Sequence, residues 1–245
     1  MSAVALAWQF LTVVPWPAAG APDARAFRWA PALFPVVGAA IGLAAAAVEL
    51  AARRVLPEPT GVVFAIAVAI LLSGGLHLDG LADTCDGVFC LASPDRRLEI
   101  MRDSRIGSFG AIAIVLDLLL RHGVLSALPP PARSAGLVLA PVAGRWTMVT
   151  AMWGFPYARL EGTGRRFKEH LRWPALALAT IATLAIAMAV TPGTAPIALL
   201  VALGAALGAA ILIRRRLPGL TGDCYGAINE VAEVTLIVAL AALWR

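Results

Sequence analysis

Charge is what this chain has least of. Only 14% of its 245 residues are Asp, Glu, Lys or Arg, where a soluble domain carries about a quarter. Hydrophobic residues make up 60%, and mean hydropathy is +0.82, so a water-soluble globular fold is excluded and lipid is the expected solvent. The three cysteines, Cys85, Cys90 and Cys224, form no C-x-x-C pair; they read as small packing residues rather than a disulfide framework or thiol metal site. A Walker-type Gly-Lys-Ser/Thr is missing as well, which removes the P-loop nucleotide enzymes. Neither an internal repeat nor a low-complexity tail interrupts the chain, so residues 1–245 are expected to form one integral-membrane domain. The N-terminus lacks the basic n-region of a cleaved signal peptide.

What the chain does have is long apolar windows. They run over about Ala30–Ala52, Thr60–Leu76, Ser108–Leu128, Ser134–Trp153, Trp173–Thr191, Ala195–Ile213 and Ala227–Trp244. Each is near the roughly 20 residues that cross the hydrocarbon core as a helix. The Thr60 window is the shortest, with Gly74 and Gly75 placed to end its helix near the interface. An eighth stretch, Ala3–Val14, gives only about 18 Å of helix before Pro15 and Pro17 stop it, which suits an interfacial or re-entrant segment. The predicted fold is an all-α polytopic bundle of about seven transmembrane helices plus that short N-terminal helix.

Seven spans leave Pro15–Trp29, His77–Gly107, Gly154–Arg172 and Arg214–Gly226 on one side. Those connections hold 14 of the 20 Lys and Arg residues, against Arg53, Arg54, Arg133 and Arg245 opposite. The positive-inside rule makes the richer side cytoplasmic, and Arg53 and Arg54 can snorkel from a helix end. The pI of about 9.8 is therefore a topology signal and calls for no nucleic-acid partner.

Polar chemistry gathers on that same side. In His77-Leu78-Asp79-Gly80-Leu81-Ala82-Asp83-Thr84-Cys85-Asp86-Gly87 a helix would put Asp79, Asp83 and Asp86 at i, i+4 and i+7, on one face. Carboxylates that close repel unless a cation lies between them, and oxygen ligands favour Mg²⁺ or a close relative. The plainer alternative is a solvated acidic turn at a helix N-terminus; its position at the mouth of a membrane helix, where charge is costly, weighs against that. Met101-Arg102-Asp103-Ser104-Arg105-Ile106-Gly107-Ser108-Phe109-Gly110 leads into a span, with Asp103 either a cap or a partner of Arg105. Its arginines and glycines also suit phosphate.

A second acidic cluster, Asp223, Asn229, Glu230 and Glu233, opens the last span; one first-turn carboxylate is ordinary, several are not. The loop with Arg159, Gly162-Thr163-Gly164 and then Arg165 and Arg166 reads first as a positive-inside loop, but also suits a nucleotide or pyrophosphate. Asp117 and Arg121 are spaced for an intrahelical ion pair, and Arg145 could bring charge to a buried site. His122 and His170 have no metal-ligand spacing. Acids for a metal and bases for phosphate, together at a membrane surface, point to Mg²⁺-assisted phosphoryl transfer on a large, partly apolar substrate.

These motifs, with Gly222-Asp223-Cys224-Tyr225-Gly226-Ala227, resemble the cobalamin synthase family, the adenosylcobinamide-GDP ribazoletransferases, over essentially the whole chain. That resemblance implies the last assembly step of cobalamin biosynthesis. A ribose hydroxyl of α-ribazole, or of its 5′-phosphate, attacks the cobinamide-linked phosphoryl group of adenosylcobinamide-GDP. GMP leaves, and adenosylcobalamin or its 5′-phosphate forms. The resemblance also implies Mg²⁺ dependence and the bacterial inner membrane; the positive-inside count puts the active face on the cytoplasmic side, and other cobalamin-assembly enzymes are candidate partners. Asp79, Asp83, Asp86 and Asp103 match the family's acidic positions; the first three are assigned to metal, and Asp103 to metal or to activating the ribose hydroxyl. Asp223 and Glu230 are expected to complete the metal shell, with Glu233 a weaker candidate. His77, Arg102, Arg105, Arg159, Arg165 and Arg166 are the expected substrate-binding set, Arg165 and Arg166 holding the nucleotide phosphates.

Asp79-Gly80-Leu81-Ala82 also looks partly like the CDP-alcohol phosphotransferases, but Asp83 stands where they carry Arg. An ion-coupled transporter would use Asp117, yet the chain shows no inverted repeat. A purely structural subunit leaves the paired acidic motifs unexplained.

Overall fold

In lipid every backbone N–H and C=O must be satisfied within the chain, and a helix does this segment by segment. The computed structural model describes residues 1–17 and 20–244, and Arg245 lies outside them. The described residues fold into α1 (Ala3–Leu11), α2 (Ala24–Trp29), α3 (Phe34–Ala52), α4 (Glu58–Ser73), α5 (Leu76–Phe89), α6 (Pro94–Ile100), α7 (Ser108–Ala127), α8 (Pro130–Gly154), α9 (Thr163–His170), α10 (Trp173–Val190), α11 (Ala195–Arg214) and α12 (Gly222–Leu243). A single 3₁₀ turn, Ala30–Leu33, joins α2 to α3. Among the described residues β-pairing is limited to an isolated bridge between Tyr157 and Leu220.

Six helical segments are long and apolar enough to cross a membrane, and α4 with α5 as a bent pair raises the count to seven, in line with the expected all-α, multi-pass bundle. The α4–α5 pair bends by 86°. Gly74 and Gly75 make that corner with φ of 64° and 70°, values that a side chain would strain. The Thr60 window thus ends where the glycines predicted, and the first acidic motif becomes the helix that follows. α12 begins five residues before its apolar window, so Asp223 lies inside the helix. At nine residues α1 is too short to span; it packs instead, its Phe10 ring 4.8 Å from Phe167 and 5.7 Å from Phe34.

α8 runs through the centre, buried along nearly its whole length. On α11, Ala198, Ala202, Ala206 and Ala210 recur every four residues and are all buried, a small-residue stripe that lets helices approach closely in lipid. At the end away from the motifs, Arg133 is fully buried, with Glu49 at 2.8 Å and Glu58 at 2.9 Å. Its guanidinium also donates to the carbonyls of Leu125 and Leu128, which end α7. That arginine is neutralised inside the fold.

The four basic connections meet at the other end. Leu220 of the fourth bonds to two residues of the third through the backbone, Ala158 N–H to Leu220 O and Leu220 N–H to Pro156 O, each 2.8 Å. Arg159 reaches the carbonyl of Met101 on the second.

Candidate active site

Two helices bring the acidic motifs together. α5 and α12 cross at Gly80 and Gly226, where a Cβ on Gly80 would stand 2.7 Å from the Asp223 carbonyl oxygen and 3.2 Å from Gly226 Cα. Only glycine permits this approach, and it sets Asp79 and Asp83 beside the first turn of α12. Half-buried Asp83 has Asp79, Asp223 and Asp86 as neighbours of its own sign, with Arg159 opposing them. Arg159 pairs with Asp223 at 2.9 Å, and the Thr221 hydroxyl donates to the same carboxylate at 3.2 Å. A cleft of about 280 Å³ opens here, lined by His77, Asp79, Tyr157, Arg159, Asp223 and the Gly162-Thr163-Gly164 backbone among others.

The three aspartates of α5 do not share one task. Asp86 accepts the backbone N–H groups of Gly107 at 2.7 Å and Gly110 at 2.9 Å. Those are orphan donors at the start of α7, so Asp86 caps that helix from a neighbouring one. The same C-terminal end of α5 is held by buried Arg97, which donates to the carbonyls of Gly87, at 3.0 Å, and Val88. Nothing in the sequence marked Arg97 out from the surrounding basic loop.

His77 is buried and joins the cleft to the bundle interior. Its Nδ1 faces Arg145 Nη2 at 3.2 Å. A guanidinium can only donate, so Nδ1 is the acceptor and the neutral ring carries its proton on Nε2. Nε2 has no partner among the described residues.

Glu230 does not line the cleft. Seven residues beyond Asp223 on α12, it lies about 10 Å deeper along the helix axis, where Arg121 of α7 claims it. Arg121 pairs with Asp117 at 2.7 Å, with Glu233 at 2.6 Å and with Glu230. Arg145 pairs with Glu233, and Asn229 donates to Glu233 at 2.8 Å and to Glu230 at 3.1 Å. Glu230 and Glu233 therefore belong to a buried ionic network rather than to the cleft. The spacing of Asp117 and Arg121 had pointed to their pair; the extension to α8 and α12 is set by packing. A signal for it existed, because acids within apolar spans demand bases and Arg121 and Arg145 are the two available.

The basic residues divide in the same way. Arg159 enters the cleft. Arg165 instead pairs with Glu169 at 2.6 Å, and Arg166 lies 4.2 Å over the Phe27 ring with a hydrogen bond to Pro22 O, so both stand away from the position expected for nucleotide phosphates. Arg102 is exposed, and Arg105 pairs with Asp103 at 2.6 Å. Hydrogen bonds from the Arg105 side chain and backbone hold the Asp103 carboxyl down at about 2, which makes it a poor base at neutral pH. Asp103 faces a neighbouring cavity that Asp86 and Arg105 also line. Among the described residues no three His, Cys, Asp or Glu side chains stand in a ready-made metal cage; Asp223 is committed to Arg159 in this conformation.

The profile of the cobalamin-5-phosphate synthase family matches residues 3–241. The chain belongs to that family. It is 42% identical to an adenosylcobinamide-GDP ribazoletransferase of Roseiflexus sp., over 97% of this chain and 87% of the relative. A ribazoletransferase of Syntrophobacter fumaroxidans is 40% identical, over 86% of each chain, and one of Herpetosiphon aurantiacus is 39% identical, over 98% of this chain and 96% of the relative. No solved structure matches the chain. Membership sets aside the CDP-alcohol phosphotransferase and transporter alternatives.

Proposed function

We propose that this cobalamin-5-phosphate synthase family member works as an adenosylcobinamide-GDP ribazoletransferase in the cleft between α5, α12 and the Tyr157–Gly164 loop. The ribose hydroxyl of α-ribazole, or of its 5′-phosphate, forms a new bond to the cobinamide-linked phosphorus. The bond from that phosphorus to the bridging oxygen breaks, GMP carries that oxygen away, and adenosylcobalamin or its 5′-phosphate remains. The observation that carries the reading is the meeting of Asp79 and Asp223, from two separate motifs, in one cleft that Arg159 also enters, with Asp83 one turn along α5 from Asp79.

That donor set is hard, anionic and crowded, and so fits Mg²⁺. Asp79, Asp83 and Asp223 would hold the ion, with Arg159 released from Asp223 to meet a phosphoryl oxygen as a forked donor. Bound there, Mg²⁺ supplies charge neutralisation for a pyrophosphate and fixes the reacting oxygens. The Nε2–H of His77 offers a neutral hydrogen-bond donor, and since Arg145 occupies Nδ1 the ring does not serve as a base. Asp86 acts through α7, fixing Gly107 and Gly110 at the start of that helix. A bacterial inner-membrane location with the cleft on the cytoplasmic face fits the charge excess of the motif-bearing end, and that face is where other cobalamin-assembly enzymes would deliver substrate.

The test is GMP release by detergent-solubilised protein given adenosylcobinamide-GDP and α-ribazole, with Mg²⁺ or with a chelator. We expect release only with Mg²⁺, and a loss of at least about 100-fold in Asp83→Asn, by analogy with the removal of a key charge from a phosphoryl-transfer site. Release undiminished by the chelator would refute the metal assignment. No release under either condition, from protein shown to be folded, would refute the activity.

A further inference from the structure

A second cavity, of about 380 Å³, opens at the same end of the bundle, lined by Ala24, Arg25, Arg28, Trp29, His170 and Arg172. It shares no residue with the cleft. Three arginines and a histidine line it, and among the described residues no carboxylate does. The nearest acids in sequence are engaged elsewhere: Asp23 caps α2 through Ala26 N–H at 2.7 Å, and Glu169 pairs with Arg165. Two of the arginines are held in place without being neutralised. Arg28 lies 5.3 Å over the Trp29 ring, and Arg172 donates to the carbonyls of Glu169 and Leu171 at 2.8 and 2.9 Å.

Its level in the membrane follows from the chain. Arg28-Trp29 directly precedes the Ala30–Leu33 turn and α3, and Arg172 directly precedes α10, whose first residue, Trp173, is exposed. The cavity therefore sits where two spanning segments begin, beside two tryptophans of the kind that mark the headgroup layer. Basic cavities between spans at this depth suit lipid headgroups. We infer that this corner binds the phosphate of an anionic phospholipid headgroup.

A soluble phosphate has the same chemistry, so the experiment separates the two sources. Protein in neutral detergent is titrated with phosphatidylglycerol, with phosphatidylcholine or with GMP, and bound molecules are counted by native mass spectrometry. The wild type should retain phosphatidylglycerol in preference to phosphatidylcholine. The triple variant Arg25→Gln, Arg28→Gln, Arg172→Gln should weaken that retention on the order of 100-fold, about fivefold per arginine. Lysine at all three positions should restore most of it, and Arg53→Gln with Arg54→Gln, at the opposite end, should change nothing. The triple variant alters exposed side chains only, and its unfolding temperature reports whether it is folded. Equal retention of phosphatidylglycerol by wild type and triple variant would overturn the assignment. So would a loss confined to GMP binding, which would make this a soluble-phosphate site.

Discussion

Replacing Gly80 by alanine adds one methyl group at the point where the two acidic motifs are held together. That methyl would stand 2.7 Å from the Asp223 carbonyl oxygen, 3.1 Å from Asp223 Cα and 3.2 Å from Gly226 Cα. All three obstacles are backbone atoms, so no side chain can swing aside. Relief to an ordinary contact of about 3.4 Å requires α5 and α12 to part by roughly 0.7 Å, a strain in the 1–3 kcal/mol range of overpacked interiors. Separation also moves Asp79 and Asp83 away from Asp223. Misplacement approaching 1 Å costs on the order of 100-fold in rate, so a ten- to hundredfold fall in turnover is expected, with a lowered unfolding temperature. Gly204→Ala on α11 is the control, since a Cβ there meets nothing within 4 Å and alanine favours the helix. Both variants are compared by GMP release and by thermal unfolding in detergent. If Gly80→Ala matches Gly204→Ala in both, the close crossing of α5 and α12 is wrong, and the union of Asp79, Asp83 and Asp223 falls with it.

Arg121→Met should destabilise the protein by about 3–5 kcal/mol, because it strands the buried carboxylates of Asp117, Glu230 and Glu233; chemical denaturation measures this, and a change below about 1 kcal/mol would argue against the network. Asp103, held at about 2 by Arg105, is ionised in the folded protein at any pH above that value and contributes no titration near neutrality. Its favourable pairing is fully present above the ordinary carboxylate range and is lost only as pH falls toward 2. Asp103→Asn should therefore leave the shape of the pH–rate profile unchanged between pH 5 and 9, and a lost basic or acidic limb would restore Asp103 as a proton-transfer group. For topology, single cysteines in the Gly154–Arg172 connection of a cysteine-free variant should resist an impermeant thiol reagent added to intact cells. Strong labelling there would reverse the orientation.

The apolar windows were legible because a membrane helix is a local object: hydropathy and about 20 residues of length specify it without a partner. The same holds for the glycine corner at Gly74 and Gly75, the short α1, the shared face of Asp79 and Asp83 on α5, and the pair formed by Asp117 and Arg121. The family resemblance, too, rests on contiguous motifs, and the match over residues 3–241 agrees with it. What could not be read from the chain were contacts between helices remote in sequence. Asp223 and Glu230 looked equivalent, since seven residues return a helix to the same face. Two turns of axial rise nevertheless separate them, one reaching Arg159 and the other Arg121. Asp86 resembled its neighbours until α7 placed two unsatisfied backbone donors against it, and Arg166 resembled a phosphate ligand until α2 offered it the face of Phe27. Composition and periodicity determined the solvent, the helices and the end of the bundle where the chemistry lies. The tertiary structure alone decided which charges meet there, because a carboxylate or guanidinium in a membrane protein takes the strongest partner that packing brings within reach.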